Sequence, residues 1–155
     1  MQALPASGSA AATDASPPPD KVEAPDQLET AQLVWTTLIA LDQANRTGNY
    51  SVLRDLGGPG FRDENTPAAL AEIFRKLREV KLELGRTVLL APVYDEPPAV
   101  DDDGRLQIVG RFITRPLGIR FNLQFEQWQG RWAIDNLAVG SYQPGEGSSK
   151  DADGD

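Results

Sequence analysis

An α+β fold, helices first and an antiparallel sheet last, is predicted by three features of the sequence. Between Leu117 and Trp128, Ile119, Phe121, Leu123 and Phe125 alternate with Arg120, Asn122, Gln124 and Glu126, the period of two of a strand with one buried and one polar face. From Asp26 to Thr47 apolar residues recur at spacings of three and four, as on an amphipathic helix. Gln129 and Gly130 separate two strand-like runs and read as a two-residue hairpin turn in which glycine takes a positive φ.

Residues 1–25, rich in Ala, Ser and Pro, have no hydrophobic periodicity. They hold too little bulky apolar surface to offset ordering entropy, so a disordered tail or linker is expected. They lack the basic start and continuous apolar run of a signal peptide and resemble the linker that follows a cleaved signal or an anchor. Order is expected over residues 26–143, followed by an acidic tail from 144 to 155. Asp26, with Glu29 three residues on, marks the start of the first helix. Its stripe is Leu28, Ala31, Val34, Trp35, Leu38, Ile39 and Leu41, and Gly48 stops it. A short second helix is expected over residues 49–56, carrying Tyr50, Val52, Leu53 and Leu56, before Gly57, Gly58, Pro59 and Gly60 break it. Thr66 followed by Pro67 opens a third helix with Leu70, Ile73, Phe74, Leu77 and Val80 on its buried face.

A first long strand is expected from Arg86 to Tyr94, with Pro92 placing it at a sheet edge. Residues 96–104, EPPAVDDDG, read as a loop. Three strands follow, from Arg105 to Arg115, Leu117 to Trp128 and Arg131 to Tyr142. In the last, Trp132 and Ile134 share one parity while Leu137 and Val139 share the other, which a bulge near Asp135 and Asn136 reconciles.

Composition excludes several kinds of chemistry. The chain has 155 residues, of which 40% are hydrophobic and 25% charged, the range of one soluble globular domain. Of the net charge of −8, residues 1–25 carry −2 and residues 144–155 carry −3, which leaves −3 for the domain. With no clustered basic face, nucleic acid is not an expected partner. Arg75, Lys76, Arg78 and Lys81 interleave with Glu72, Glu79 and Glu83, the pattern of a solvated helix face. There is no cysteine and no histidine, which removes thiolate nucleophiles, the commonest general base and the commonest transition-metal ligand. No cofactor or metal site is expected, and no segment is long and apolar enough to span a membrane. The Asp101, Asp102, Asp103 run lacks the alternating ligands of a calcium loop, and the terminal DADGD stops too soon to form one. Residues 45–47 and 49–51 match the glycosylation sequon, which matters only in a eukaryotic secretory setting.

The order long helix, short helix, third helix, strand and antiparallel meander resembles the nuclear transport factor 2-like superfamily, the ketosteroid-isomerase-like cone. The resemblance covers residues 26–143 and is carried by the Trp35 helix, the NYSVLRDL step, the PAALAEIFRKLR helix and the closing LGIRFNLQFEQWQGRW pair. It implies a cone-shaped curved antiparallel sheet wrapped around the long N-terminal helix and two further helices, with a pocket at the wide end. Trp35, Leu38, Phe61, Phe74, Tyr94 and Phe112 are the candidates to line it around a small apolar ligand, packed core being the alternative for each. Members of that fold include enzymes and interaction modules alike. An isomerase- or dehydratase-type enzyme would rely on Asp42, Tyr50 and Asp135 for proton transfer, histidine being absent. Val109, Arg111, Ile113, Arg120, Asn122, Gln124 and Trp128 are expected on the outer sheet face, where mixed Arg, aromatic and β-branched residues point to a homodimer interface. The reading favoured is a non-enzymatic binding or interaction module, periplasmic or secreted and tethered through its Ala/Pro-rich N-terminus.

Overall fold

The computed structural model describes residues 22–145. The expectations for the remaining tail residues and for the DADGD end lie outside the described residues. Among the described residues, five α-helices, a 3-10 helix and an antiparallel sheet of five strands make an α+β fold.

Helix α1 (Gln27–Thr47) has the ends its sequence predicts. The Asp26 carboxylate accepts from the Glu29 N–H at 2.8 Å, and Gly48, at φ 81, donates its N–H to the Ala44 carbonyl at 2.8 Å. The left-handed turn that closes the helix costs glycine nothing sterically. Val34, Leu38, Leu41 and Ala44 are buried. Leu28, expected on the stripe, is exposed, because at about 100° per residue it lies some 120° round the helix from Val34.

Helix α2 (Ser51–Asp55) is followed by α3 (Pro59–Glu64), which sequence reasoning read as a break. The Gly-Gly-Pro-Gly run ends one helix and starts another: Gly58 is the cap and Pro59 the first helical residue, where its missing N–H is harmless. The expected third helix is two pieces, α4 (Pro67–Ile73) and α5 (Arg75–Glu79), broken at Phe74. Thr66 caps α4 as predicted, accepting from the Ala69 N–H at 3.1 Å. The break turns Ile73 and Val80 out to solvent and leaves Leu70, Phe74 and Leu77 inside.

The strand expected from Arg86 to Tyr94 is mostly absent. Leu84 to Leu89 form a 3-10 helix against α1, with Leu84 and Thr87 buried at a spacing of three. Only β1 (Val93–Tyr94) is strand, and the acidic loop contributes a short β2 (Ala99–Val100). Both pair with the same edge of β3 (Leu106–Phe112). The hairpin from β2 to β3 turns on Asp101, whose carboxylate accepts from the N–H groups of Asp103 and Arg105, each at 2.9 Å.

Strands β3, β4 (Gly118–Trp128) and β5 (Arg131–Tyr142) form the meander. Gln129 and Gly130 both have positive φ, 53 and 77, as a type I′ turn requires. The register shift falls where parity demanded it: Gln124 pairs with Asn136 and Phe125 with Ile134, so Asp135 is the extra residue. Ile119, Phe121, Leu123 and Phe125 therefore share one face with Leu137 and Ile134, packed with Leu106, Ile108, Phe112 and the α1 residues in a single core. The Phe112 and Phe121 rings lie 5.6 Å apart at 45°. Burial of each such ring stabilises the fold by about 1.5–3 kcal/mol.

The rest of the β5 edge beside the bulge is joined to the helices. The Ile134 N–H donates to the Leu56 carbonyl and the Gly58 N–H to the Ile134 carbonyl, each at 3.0 Å. On the opposite edge, Gly110 admits β1: a Cβ there would stand 2.3 Å from the Val93 carbonyl oxygen. Gly110→Ala is expected to destabilise the fold by about 1–3 kcal/mol. It should also speed amide exchange at Asp95, whose N–H donates to Val109 O at 2.9 Å; exchange mass spectrometry and denaturant titration read both.

Candidate functional site

Pairing fixes what lies on the face opposite the core. Val109 is opposite Asn122, Arg111 opposite Arg120, and Gln107 opposite Gln124; Asn122 and Arg120 are in turn opposite Ala138 and Gly140. These five pairings put Val109, Arg111, Arg120, Asn122 and Gln124 together on the outer face. Ala138 and Gly140, too small to fill their positions, leave an open groove of about 480 Å³ bordered by Asp95, Val109, Arg120 and Asn122. The Gln107 amide donates to the Asn122 side-chain oxygen at 3.2 Å.

Two arginines directly opposite each other repel, and each has its own compensation. Arg111 forms an ion pair with Asp95, both side chains partly exposed. Arg120 lies over the Tyr142 ring, 5.2 Å from its centroid. Tyr142 covers its cross-strand partner Gly118, at which a Cβ would meet the ring at 2.2 Å, and its hydroxyl donates to the Phe112 carbonyl at 3.3 Å. Sequence reasoning missed Asp95, Ala138 and Gly140. Their signal was present: the even parity that selects Asn122 also selects Ala138 and Gly140 once the Asp135 bulge is counted.

Ile113 lies beyond the end of β3 and is exposed. Trp128 sits at the other end of β4 with two guanidiniums over its ring, Arg62 at 4.6 Å and Arg131 at 5.3 Å from the centroid. Eight residues of strand, about 26 Å, separate it from Arg120, so it stands apart from the rest of the outer set.

The acid–base candidates are dispersed, and each is occupied. Asp42, buried in α1, pairs with Arg46 at 2.8 Å. The Tyr50 hydroxyl donates to the Asn45 side-chain oxygen and accepts from Arg78 at 2.7 Å. Asp135 pairs with Arg105 at 2.9 Å; the nearby carboxylate, first through charge and then through this bond, holds the Arg105 guanidinium above its ordinary value. None of the three lines the outer groove or the depressions beside Leu117 and Trp132.

The pocket candidates are placed as follows. Leu38, Phe61, Phe74 and Phe112 are buried members of the core cluster. Trp35 is half-buried, and its indole N–H donates to the Leu90 carbonyl at 3.0 Å, fastening α1 to the segment after the 3-10 helix. Tyr94 is half-buried at the β1 edge. None of the six lines the outer groove or the other two depressions described. Among the described residues no group of three or more acidic side chains is placed to hold a metal ion, and no helix is long and apolar enough to cross a membrane.

No family model matches the chain, and no curated protein or solved structure matches it either.

Burial pushes the Tyr94 phenol above its ordinary value. The folded state thus holds this proton more tightly than the unfolded chain, in which a tyrosine ionises near pH 10. The resulting stability is fully present below that pH and is lost as pH rises through the folded value. Tyr94→Phe is expected to flatten the fall in stability above pH 10 relative to the parent, as read by denaturant midpoints across pH 8–11.5.

Proposed function

We propose that this chain is a non-enzymatic interaction module that pairs with a second copy of itself through the outer face of the meander, on a nuclear transport factor 2-like cone. The observation that carries the reading is the groove over Ala138 and Gly140, flanked by Arg120, Asn122 and Val109. Side chains of another copy can enter a face whose centre is small and whose borders donate and accept hydrogen bonds. A two-fold axis across this face would bring each copy's Arg120 and Asn122 toward the other's groove, where charged and polar borders can set the register of the pair. The order of helices and strands supports the cone. The Ala/Pro-rich N-terminal sequence supports a tether and, with it, a periplasmic or secreted setting. An enzyme reading finds no support in the scattered Asp42, Tyr50 and Asp135.

Sedimentation equilibrium at micromolar concentration tests this. A dimer is expected for the parent, with Ala138→Arg shifting the chain to monomer, at least tenfold weaker in association, while circular dichroism stays unchanged. A monomeric parent at those concentrations contradicts the reading.

A further inference from the structure

A smaller depression lies away from the outer groove, where the end of α5, the loop to the 3-10 helix and the turn from β3 to β4 meet. Its volume is about 80 Å³, room for about five to eight water-sized groups. Leu82, Leu117 and Ile119 give it an apolar lining, and Lys81, Arg86 and Arg115 stand around it. Glu83 also lines it and is paired with Arg86, whose guanidinium further donates to the Arg115 carbonyl across the cleft at 3.4 Å. Arg86 therefore ties the two walls together. Among the described residues, the side chains of Lys81 and Arg115 enter no ion pair. In a chain of net charge −8, this is a local excess of positive charge over an apolar slot.

The backbone at Lys81 makes the same point independently. Helix α5 ends in a Schellman motif: the Leu82 N–H donates to Leu77 O and the Lys81 N–H to Arg78 O, both at 3.1 Å. The residue at this position must be left-handed, and Lys81 has φ 54. Glycine is the favoured residue there, and a side chain is disfavoured. A lysine kept in a glycine position, with its stem at the mouth of a cleft, is local strain of the kind that collects at ligand sites.

We infer that the cleft between Lys81 and Arg115 binds a short-chain monocarboxylate, its hydrocarbon against Leu82, Leu117 and Ile119 and its carboxylate held by the Lys81 ammonium and the Arg115 guanidinium. A bare inorganic anion leaves the apolar floor uncovered. A neutral chain of the same length leaves both cations without a partner. The guanidinium offers paired donors to a carboxylate, and the ammonium adds a point charge. The slot is too small for more than a short chain, so affinity should rise with the first methylenes and then stop.

The test titrates the full chain with acetate, propionate, butyrate, hexanoate and the neutral butyramide, following the methyl NMR signals of Leu82, Leu117 and Ile119. Affinity is expected to rise about fourfold for each methylene that becomes buried, to level off by hexanoate, and to be at least tenfold weaker for butyramide than for butyrate. Lys81→Gly separates the site from the fold. It should raise the unfolding temperature by a few degrees, about what relief of a left-handed side chain gives, while weakening butyrate at least fivefold. Arg115→Gln should weaken butyrate likewise with the fold unchanged. The inference is overturned if butyramide binds as well as butyrate, if the three methyl groups do not shift, or if both variants bind butyrate as the parent does. None of these outcomes depends on whether the chain is a dimer.

Discussion

Everything in this fold leans on the parity of one strand. β4 is hydrogen-bonded on both sides, to β3 and to β5, so a shift of one residue in it would exchange Ile119, Phe121, Leu123 and Phe125 for Arg120, Asn122, Gln124 and Glu126 against the helices. The turn at Gln129 and Gly130 fixes where β5 starts, and the extra residue at Asp135 corrects its second half. Without that residue, Trp132 and Ile134 could not share the inner face with Leu137 and Val139. The bulge also sets Ile134 where the backbone of Leu56 and Gly58 can pair with it, so one inserted residue positions both the core face and the seat of α2 and α3.

The same parity gives the outer face its character. Because Arg111 and Arg120 must both point outward, they must face each other, and the structure answers with Asp95 on one and the Tyr142 ring on the other. Exposed pairs of this type add little to stability, about 0–1 kcal/mol each. Their consequence is placement: a cation, an amide and an acid, Arg120, Asn122 and Asp95, border the groove over Ala138 and Gly140 instead of closing it. The core side, by contrast, is filled by buried side chains, and Leu38, Phe61, Phe74 and Phe112, expected to line a pocket there, are part of that packing.

The three strands of the meander and the first helix were legible because their signals are short in range and repeated. Period two over β4, a glycine at the hairpin, and Asp26 and Gly48 at the ends of α1 each act on neighbouring residues. The parity conflict in β5 even located its bulge. What escaped depends on contacts distant in sequence. Leu84 to Leu90 has the composition of a strand, yet Leu84 and Thr87 bury against α1 at a spacing of three, and the carbonyl of Leu90 goes to Trp35. The break at Phe74 is invisible in a pattern that suits one helix. Gly57 to Gly60 carries breaker residues that also serve as a helix start, and only the pairing of Gly58 with Ile134 shows which. The cleft between Lys81 and Arg115 joins segments more than thirty residues apart, and its one local sign was a lysine where a helix end favours glycine.

The bulge is the point at which this account is most exposed. Deleting Asp135 should cost about 3 kcal/mol or more, or abolish the cooperative transition in a denaturant titration, because one half of β5 must then turn its apolar side chains outward. Asp135→Ala keeps the residue and removes only the half-exposed pair with Arg105, so it should cost no more than about 1 kcal/mol. A deletion variant as stable as Asp135→Ala would contradict the claim that register organises this protein.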